Sequence, residues 1–358
     1  MDTIDLMQEG FRRASSHDEK VYEAADLFAR GRNSARPLAQ AVLMEAFSTS
    51  DFPVLLGQAF ETQALRAYNE VPLEFEGIVN DVTVDDFERR RLVDLWGAEE
   101  FDPVAQGEEY KGGTLKETEI FHGTGKYGRS YGLTWELRLR RRFADMANFP
   151  RILGTGARKT QNGVIARLLV GENGWNEDFF GTVGTEKFTP EALDAAIKAM
   201  AQRKNHRGEL VSTSNLVLVH GPALRSEVAR VLTAARIVTK VTSGQRVTET
   251  ESDNPYRGIV TPLESETAAN LLGAANADGW ALVQGQSSNL PSIIRTKLNG
   301  HPDVDIRVKR DQGQSVGGGD VSIEQGSFND DTIWYRGRSV VGVDAGFTEG
   351  VYASNGTA

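Results

Sequence analysis

The apolar positions of the first eighty residues repeat at helical spacing without forming one dense face. Residues 2–30 carry such a repeat up to Gly31, and a further helix is predicted to begin at Ser50-Asp51-Phe52-Pro53, where a capping residue precedes a proline. Helical pieces with so thin an apolar face are typical of an arm that lies on another surface. A small helical subdomain is the alternative.

Short strand-like runs follow between residues 81 and 133, and they enclose an acidic, glycine-rich stretch from Gly97 to Gly113. This order of strand, polar tip and strand predicts one very long hairpin. Few apolar residues line it, and a two-stranded ribbon is only marginally stable alone in water. We therefore expect the hairpin to lie on a partner.

Residues 134–169 are helical in pattern and basic in composition. Pro150, Gly154 and Gly156 interrupt this run, so the sequence predicts a break near residues 147–156 and a long helix after it. The basic residues from Arg151 to Arg167 are a candidate for a local surface that contacts DNA. Pairing of these bases with the acids of adjacent subunits is the alternative.

An independent α/β lobe is predicted over residues 189–310. A helix capped at Thr189-Pro190 precedes a fully apolar strand at residues 216–220, and a second helix runs from Pro222 to Ala234. Further strands are predicted near residues 260 and 280. The tail alternates apolar and polar residues in runs at 304–308, 333–336 and 340–343, as in an antiparallel sheet with one wet face.

Composition and charge exclude several classes of protein. The 358 residues include no cysteine, which excludes disulfides, thiolate metal sites and cysteine nucleophiles, and the net charge of −10 argues against nucleic-acid binding by global charge. No apolar run approaches the roughly 18–20 residues of a membrane span, and the N-terminus lacks the basic region of a signal peptide. We expect a soluble protein that is not secreted.

The motifs that could carry chemistry lack the structural context they need. Gly123 to Gly128 fits the letters of a dinucleotide-binding loop, but strand or loop follows it where a helix is required. Gly154 to Thr160 echoes a phosphate-binding loop without the preceding strand, and the five histidines are scattered. The sequence therefore predicts no catalytic residue, no metal ligand and no cofactor, and it does not favour an enzyme.

The parts follow one another in the order helical arm, acidic hairpin, basic helix, α/β lobe and terminal strands. This order resembles that of the major capsid proteins of tailed bacteriophages with the Hong Kong 97-type fold, in particular the Mu-like branch. The likeness rests on the stretches that follow. They are Ser50 to Gly57, Val84-Asp85-Asp86-Phe87, Gly107 to Lys111, Leu216 to Leu232, Asn254 to Gly258 and Trp280 to Val283.

The resemblance implies an α+β fold of four parts, which are an N-terminal arm over 1–80, an extended hairpin (E-loop) over 81–133, a peripheral domain with a long spine helix over 134–188 and 301–358, and an axial domain over 189–300. It implies a structural protein whose copies form pentamers and hexamers and close into an icosahedral shell around double-stranded DNA. Assembly in the host cytoplasm, a separate scaffolding protein and a portal protein are implied, with no membrane; a decoration protein is left open. Two alternatives remain, an encapsulin-like nanocompartment shell and, ranked last, a nucleotide-dependent enzyme.

The unequal distribution of charge between two neighbouring segments indicates candidate contacts between subunits. Segment 81–119 carries twelve acids against five bases, and segment 134–169 carries eight bases against two acids. We expect the hairpin of one copy to dock on the basic stretch of the next. In some relatives a hairpin lysine is crosslinked to a neighbour, and Lys111 is the candidate here. The other candidate residues are Glu99, Glu100, Glu108, Glu109, Arg138, Arg140, Arg141 and Arg142.

Overall fold

The helices of the computed structural model begin at capping signals that the sequence carries. Thr189 accepts a hydrogen bond from the backbone N–H of Ala192 at 3.1 Å, and Ser265 accepts one from Ala268 at 3.0 Å. The helices are α1 (62–70), α2 (Phe149–Leu169), α3 (Glu177–Phe180), α4 (Pro190–Ala201), α5 (Arg225–Thr233) and α6 (Glu266–Leu272). Among the residues that the structure describes, no helix is long and apolar enough to cross a membrane.

Fifteen strands are formed by the described residues, and most coincide with the runs that alternate or are wholly apolar. They are β1 (Val79–Val84), β2 (Arg90–Val93), β3 (Glu117–His122), β4 (Gly125–Leu133), β5 (Val170–Gly171), β6 (Gly174–Trp175), β7 (Leu216–His220), β8 (Arg236–Ser243), β9 (Arg246–Asp253), β10 (Val260–Glu264), β11 (Trp280–Gln284), β12 (Ile293–Leu298), β13 (Asp305–Val308), β14 (Ile333–Ala345) and β15 (Tyr352–Ser354).

The structure describes residues 62–93, 104, 106–107, 109, 117–136, 149–204, 208, 210–213, 215–233, 236–243, 246–254, 256, 258–286, 291–301, 303–321 and 325–358. The predicted helix over 2–30 and the predicted helix start at Ser50 lie outside these residues.

The chain divides into two units. Unit 1 comprises residues 1–72, 126–159 and 301–340, and unit 2 comprises residues 73–125, 160–300 and 341–358. This grouping places residues 341–358 with 160–300, whereas the sequence interpretation placed 301–358 with 134–188.

In unit 1, α1 packs against the first half of α2. Ala64 and Tyr68 of α1 are buried together with Val304, and Ala157 of α2 packs against them. The Arg158 guanidinium lies over the ring of Tyr68, 3.8 Å from its centroid, and its Nε donates to the Tyr68 carbonyl oxygen at 3.2 Å. The two helices are therefore joined by apolar packing and by a cation–π contact.

The long helix predicted in this region is confirmed as α2, but the break predicted near residues 147–156 does not occur from Phe149 onward, because α2 continues through both Gly154 and Gly156. Residues 147–148 lie outside the described residues. A Cβ on Gly154 would overlap the carbonyl oxygen of Ala64 and lie 2.9 Å from its carbonyl carbon, whereas a Cβ on Gly156 would meet nothing within 4 Å. Gly154 thus permits the close approach of α1 rather than ending the helix.

A sheet in unit 1 is formed by β13, the first part of β14 and β4. Its inner side faces α2, since a Cβ on Gly337 would lie 2.9 Å from Leu153 Cδ2. The two tail runs predicted at 333–336 and 340–343 are one strand, because β14 pairs with β13 through residues 335–338 and continues to pair with β12 through residues 341–345.

In unit 2, the last part of β14 pairs antiparallel with β12, and β12 pairs in parallel with β1. Arg295 of β12 is buried, and its guanidinium donates to both carboxylate oxygens of Asp81 at 2.5 and 2.7 Å. Lys297 reaches the same carboxylate at 2.9 Å. Burial raises the pKa of Asp81, but the hydrogen bonds from Arg295 and Lys297 outweigh it and leave the pKa below its usual value.

A second sheet in unit 2 has the strand order β10-β7-β11-β15. Every residue of β7 and β11 is buried, which confirms the apolar strands predicted at 216–220 and 280. Trp280 lies at the centre of the core, edge-on to Phe188 with ring centroids 5.5 Å apart, and Leu193 and Met200 of α4 are fully buried in the same cluster. The α/β texture predicted for this stretch is confirmed.

Besides the short antiparallel pair of β5 and β6, two antiparallel ribbons belong to the described part of unit 2. The first pairs β2 with β3, so that Arg90 lies opposite His122. The second pairs β8 with β9 over eight residues each. Within the predicted hairpin of 81–133, β2 and β3 are the strands that pair with each other, while β1 pairs with β12 and β4 with β14.

Candidate assembly surfaces

Of the residues nominated for contacts between subunits, the structure describes Glu109, which is exposed. The others lie outside the described residues, and they are Glu99, Glu100, Glu108, Lys111, Arg138, Arg140, Arg141 and Arg142. The surfaces that can be built from contacts are therefore the base of the β2–β3 ribbon and the outer side of the unit 1 sheet.

The base of the β2–β3 ribbon is fixed to the sheet of unit 2 by one carboxylate. Asp344 accepts a hydrogen bond from the Arg89 guanidinium at 2.8 Å and another from the backbone N–H of Gly123 at 3.1 Å. A Cβ on Gly342 would overlap the carbonyl oxygen of Gly123, so the two backbones touch at this point. The ribbon thus leaves the sheet from a defined position.

A buried histidine adds to this attachment. His122 is 5% exposed, and its Nδ1 lies 3.1 Å from Thr296 Oγ1 on β12. Burial lowers the pKa of His122, and the nearby Asp344 carboxylate opposes that shift only in part. Burial at the base of the ribbon therefore favours the neutral imidazole over the charged one.

Exposed rings and paired charges lie beside the same base. Arg90 donates to Asp86 at 2.6 Å, and this hydrogen bond holds the pKa of Asp86 below its usual value. Arg91 lies 5.2 Å from the ring centroid of Phe121. Phe87 and Phe121 are 53% and 41% exposed, which provides apolar surface where the ribbon begins.

The outer side of the unit 1 sheet is basic, and the sequence analysis did not identify it. Arg307 of β13 and Arg336 of β14 lie directly opposite each other in the strand register. Like charges in that position are unfavourable in an isolated sheet. With Lys309 and Trp334 they line an open groove of about 420 Å³. In the sequence, the alternation of Trp334, Arg336 and Arg338 along one predicted strand was the signal that could have identified this basic surface.

Ion pairs neutralise only part of this groove. Asp305 accepts from Arg338 at 2.6 Å and from Arg307 at 3.2 Å, and Lys309 pairs with Asp311. Arg336 forms no ion pair with any residue in the described ranges. The groove therefore keeps a net positive charge and suits an anionic partner such as an acidic peptide segment.

The basic residues of α2 that were considered for DNA contact are partly engaged within their own chain. Arg158 is held by Tyr68, as described above. Arg151 is exposed and lies 4.0 Å from the Glu70 carboxylate in unit 1. These two bases therefore have local partners, which the sequence analysis did not foresee.

The motifs discounted for chemistry occupy structural positions. Gly128 lies within β4, where a Cβ would come 2.9 Å from the carbonyl oxygen of Gly337. His220 ends β7, and its Nδ1 lies 2.9 Å from the carbonyl oxygen of Gly221, as expected of a satisfied histidine at a strand end. Across the described ranges, no group of three or more metal-ligating side chains comes together.

Comparison with known proteins gives one match that defines a family. A family model described as phage capsid protein matches residues 117–354, which covers the strands from β3 to β15. No curated protein matches the chain.

Several solved structures are similar to this chain at low sequence identity. The capsid of cyanophage P-SCSP1u is 11% identical, with 78% of this chain and 86% of that chain covered and a TM-score of 0.43. The virus-like particle from Pyrococcus furiosus is 9% identical, with coverages of 82% and 97% and a TM-score of 0.40. The procapsid of satellite phage P4, which includes the size determination protein Sid, is 7% identical, with coverages of 83% and 98% and a TM-score of 0.43.

Proposed function

The chain belongs to the phage capsid protein family, and from this premise we propose that it is the major head subunit of a tailed double-stranded DNA phage. As a capsid protein it is a component of the virion and forms a shell from many copies of itself. The family match over residues 117–354 is the observation that carries the function. It favours a phage head over an encapsulin-like compartment and over a nucleotide-dependent enzyme.

The proposed shell is icosahedral and is built from pentamers and hexamers. The four-part division predicted from the sequence belongs to this proposal, as do host-cytoplasmic assembly, a separate scaffolding protein and a portal. Association of this kind gains strength from multiplicity, because each copy makes several modest contacts at once.

The contents of purified particles test the proposed function. Particles formed in infected cells should hold nuclease-protected double-stranded DNA and no enclosed enzyme cargo. Protein cargo in place of DNA would support the nanocompartment alternative and would contradict the proposal.

The acidic hairpin supplies the proposed contact between neighbours. Its base is attached at Asp344, and its acidic stretch has the charge that the basic stretch over 138–142 requires. The groove around Arg307 and Arg336 offers a further surface of the right sign. Single exposed ion pairs contribute only about 0–1 kcal/mol, so a row of them is needed to set the register of one copy on the next.

Charge reversal tests this contact. Replacing Arg140, Arg141 and Arg142 together by Glu should block assembly or make it sensitive to salt, while the unassembled chain stays folded. The matched replacement by Gln should weaken assembly less, because it removes attraction without adding repulsion. A further change of Glu99, Glu100, Glu108 and Glu109 to Lys should partly restore assembly of the Glu variant; assembly unaffected by any of these changes would exclude the contact.

A further inference from the structure

The β2–β3 ribbon is held on unit 2 by side chains rather than by strand pairing. Within the described ranges, β2 and β3 pair with each other and with no other strand. The ribbon contributes Leu92 and Ile120 to an apolar cluster that also contains Ile294 of β12, Val82 of β1 and Phe347. The attachment therefore depends on one patch of contacts at the base of the ribbon, and a local change there can release the ribbon without breaking a sheet.

His122 is a buried polar side chain in this patch. Its Nδ1 lies 3.1 Å from the hydroxyl oxygen of Thr296, which is itself fully buried. In the register of the sheet, Thr296 lies between Val82 on one neighbouring strand and Gly342 on the other. A hydroxyl can donate to or accept from a neutral imidazole, but it carries no charge that would balance a protonated one.

The charged groups that act on His122 are already paired. The carboxylate of Asp344 favours a protonated imidazole, and the guanidinium of Arg90, which lies opposite His122 in the ribbon, opposes it. Asp344 accepts a hydrogen bond from Arg89 at 2.8 Å, and Arg90 donates one to Asp86 at 2.6 Å. A proton on His122 would therefore add one positive charge beside carboxylates that already have cationic partners.

The other charged groups near the base do not face the imidazole. Asp85 and Glu88, in the segment that joins β1 to β2, are exposed to solvent. Arg295 and Lys297 of β12 lie on the opposite face of the sheet, where both pair with Asp81. Because strand residues alternate between faces, the residues of β1 and β12 on the ribbon side are all uncharged. They are Asn80, Val82, Val84, Ile294, Thr296 and Leu298.

These surroundings make protonation unfavourable while the ribbon is attached. Burial lowers the pKa of His122 below its ordinary value of 6.5, whereas detachment would expose the imidazole to water and restore that value. The detached state then binds more protons than the attached state. The attachment therefore loses stability as the pH falls below about 6.5, and the loss ends below the pKa of the attached imidazole.

We propose that the base of the β2–β3 ribbon is an acid-sensitive attachment, in which a proton taken up by His122 releases Leu92 and Ile120 from the face of β12. The two larger sheets of unit 2 stay folded, because their strands pair independently of the ribbon. Release allows the ribbon to leave the sheet in another direction. This device acts within a single chain and goes beyond the proposed function, so it can be tested whether or not shells form.

Hydrogen exchange of the unassembled chain, read by mass spectrometry, tests the attachment. Between about pH 7.5 and about pH 5.5, amides of residues 117–122 should lose up to about tenfold in protection, after correction for the intrinsic exchange rate at each pH. Amides of α4, which lies in the core of the same unit, should keep their protection. This pattern separates release of the ribbon from unfolding of the unit.

Substitutions at the two bonded side chains identify the titrating group. His122→Asn keeps a polar group near the position of Nδ1 but does not titrate in this range, so the pH dependence of residues 117–122 should disappear. Thr296→Val removes the hydroxyl but keeps the imidazole, so protection should fall at neutral pH and remain pH-dependent. The matched control is His301→Asn, which replaces an exposed histidine and should behave as the unmodified chain does.

Three results would overturn the proposal. They are equal protection of residues 117–122 at the two pH values in the unmodified chain, a pH dependence that persists in His122→Asn, and a loss of protection in α4 together with the ribbon. His122→Gln serves as a second non-titrating variant if circular dichroism shows that His122→Asn is not folded.

Discussion

Gly154 and Gly156 form a natural pair for testing how α1 and the first half of α2 are held together. Both lie within α2, and both would gain about 1 kcal/mol of helix propensity on replacement by Ala. They differ in their surroundings, since a Cβ on Gly154 would overlap the backbone of Ala64, whereas one on Gly156 would enter open space. The difference between the two variants therefore isolates the contact between α1 and α2.

The size of the expected destabilisation follows from the kind of atom that the new Cβ would contact. A carbonyl oxygen cannot rotate away as a side chain can, so Gly154→Ala must displace α1 and loosen the buried contacts of Ala64 and Tyr68. Overpacking of this kind costs about 1–3 kcal/mol. We expect Gly156→Ala to be more stable than the unmodified chain and Gly154→Ala to be less stable than Gly156→Ala by this amount.

Hydrogen exchange read by mass spectrometry can resolve this difference locally. Amides of residues 62–70 should exchange about 5- to 150-fold faster in Gly154→Ala than in Gly156→Ala, if a difference of about 1–3 kcal/mol appears as local opening. Equal protection of α1 in the two variants would refute the argument that Gly154 is required by helix contact.

Three further predictions concern other parts of the chain. Asp81→Asn should destabilise unit 2 by about 1–3 kcal/mol at neutral pH, because it leaves the buried Arg295 without its carboxylate. Folding lowers the pKa of Asp81, so the stability that this carboxylate contributes is present above its unfolded pKa and is lost as the pH falls through its folded pKa. Thermal melts of the variant and the unmodified chain should therefore converge at acid pH. Gly342→Ala should loosen the base of the β2–β3 ribbon, seen as faster hydrogen exchange in residues 117–122, because the new methyl group meets the Gly123 backbone; unchanged exchange would contradict this contact. Removal of residues 1–30 should leave a folded chain that fails to close proper shells in electron micrographs, whereas unfolding on truncation would assign the arm to its own core.

Local signals in the sequence were sufficient to predict the helices and strands of the α/β lobe in unit 2. Thr189 and Pro190 mark the start of α4, and the uninterrupted apolar runs of β7 and β11 have the length of buried strands. The resemblance to phage capsid proteins is confirmed by the family match over residues 117–354, and the α+β class is confirmed by the helices and sheets that the chain forms. The assignment to the Mu-like branch stays a prediction.

The features that the sequence did not predict depend on contacts between segments that are distant along the chain. Glycine is a residue type that often interrupts a helix, so Gly154 was interpreted as part of a break. Its role as the contact point of two helices depends on Ala64, which lies far away in sequence. The basic groove likewise arises only when β13 pairs with β14, which places Arg307 opposite Arg336.

Cryo-electron microscopy of particles assembled from the unmodified chain tests the central claim most directly. The account predicts a closed icosahedral shell of pentamers and hexamers, in which the acidic hairpin over 81–119 of each copy lies on a neighbouring copy. A chain that stays monomeric, or a shell in which that hairpin contacts only its own subunit, would contradict it.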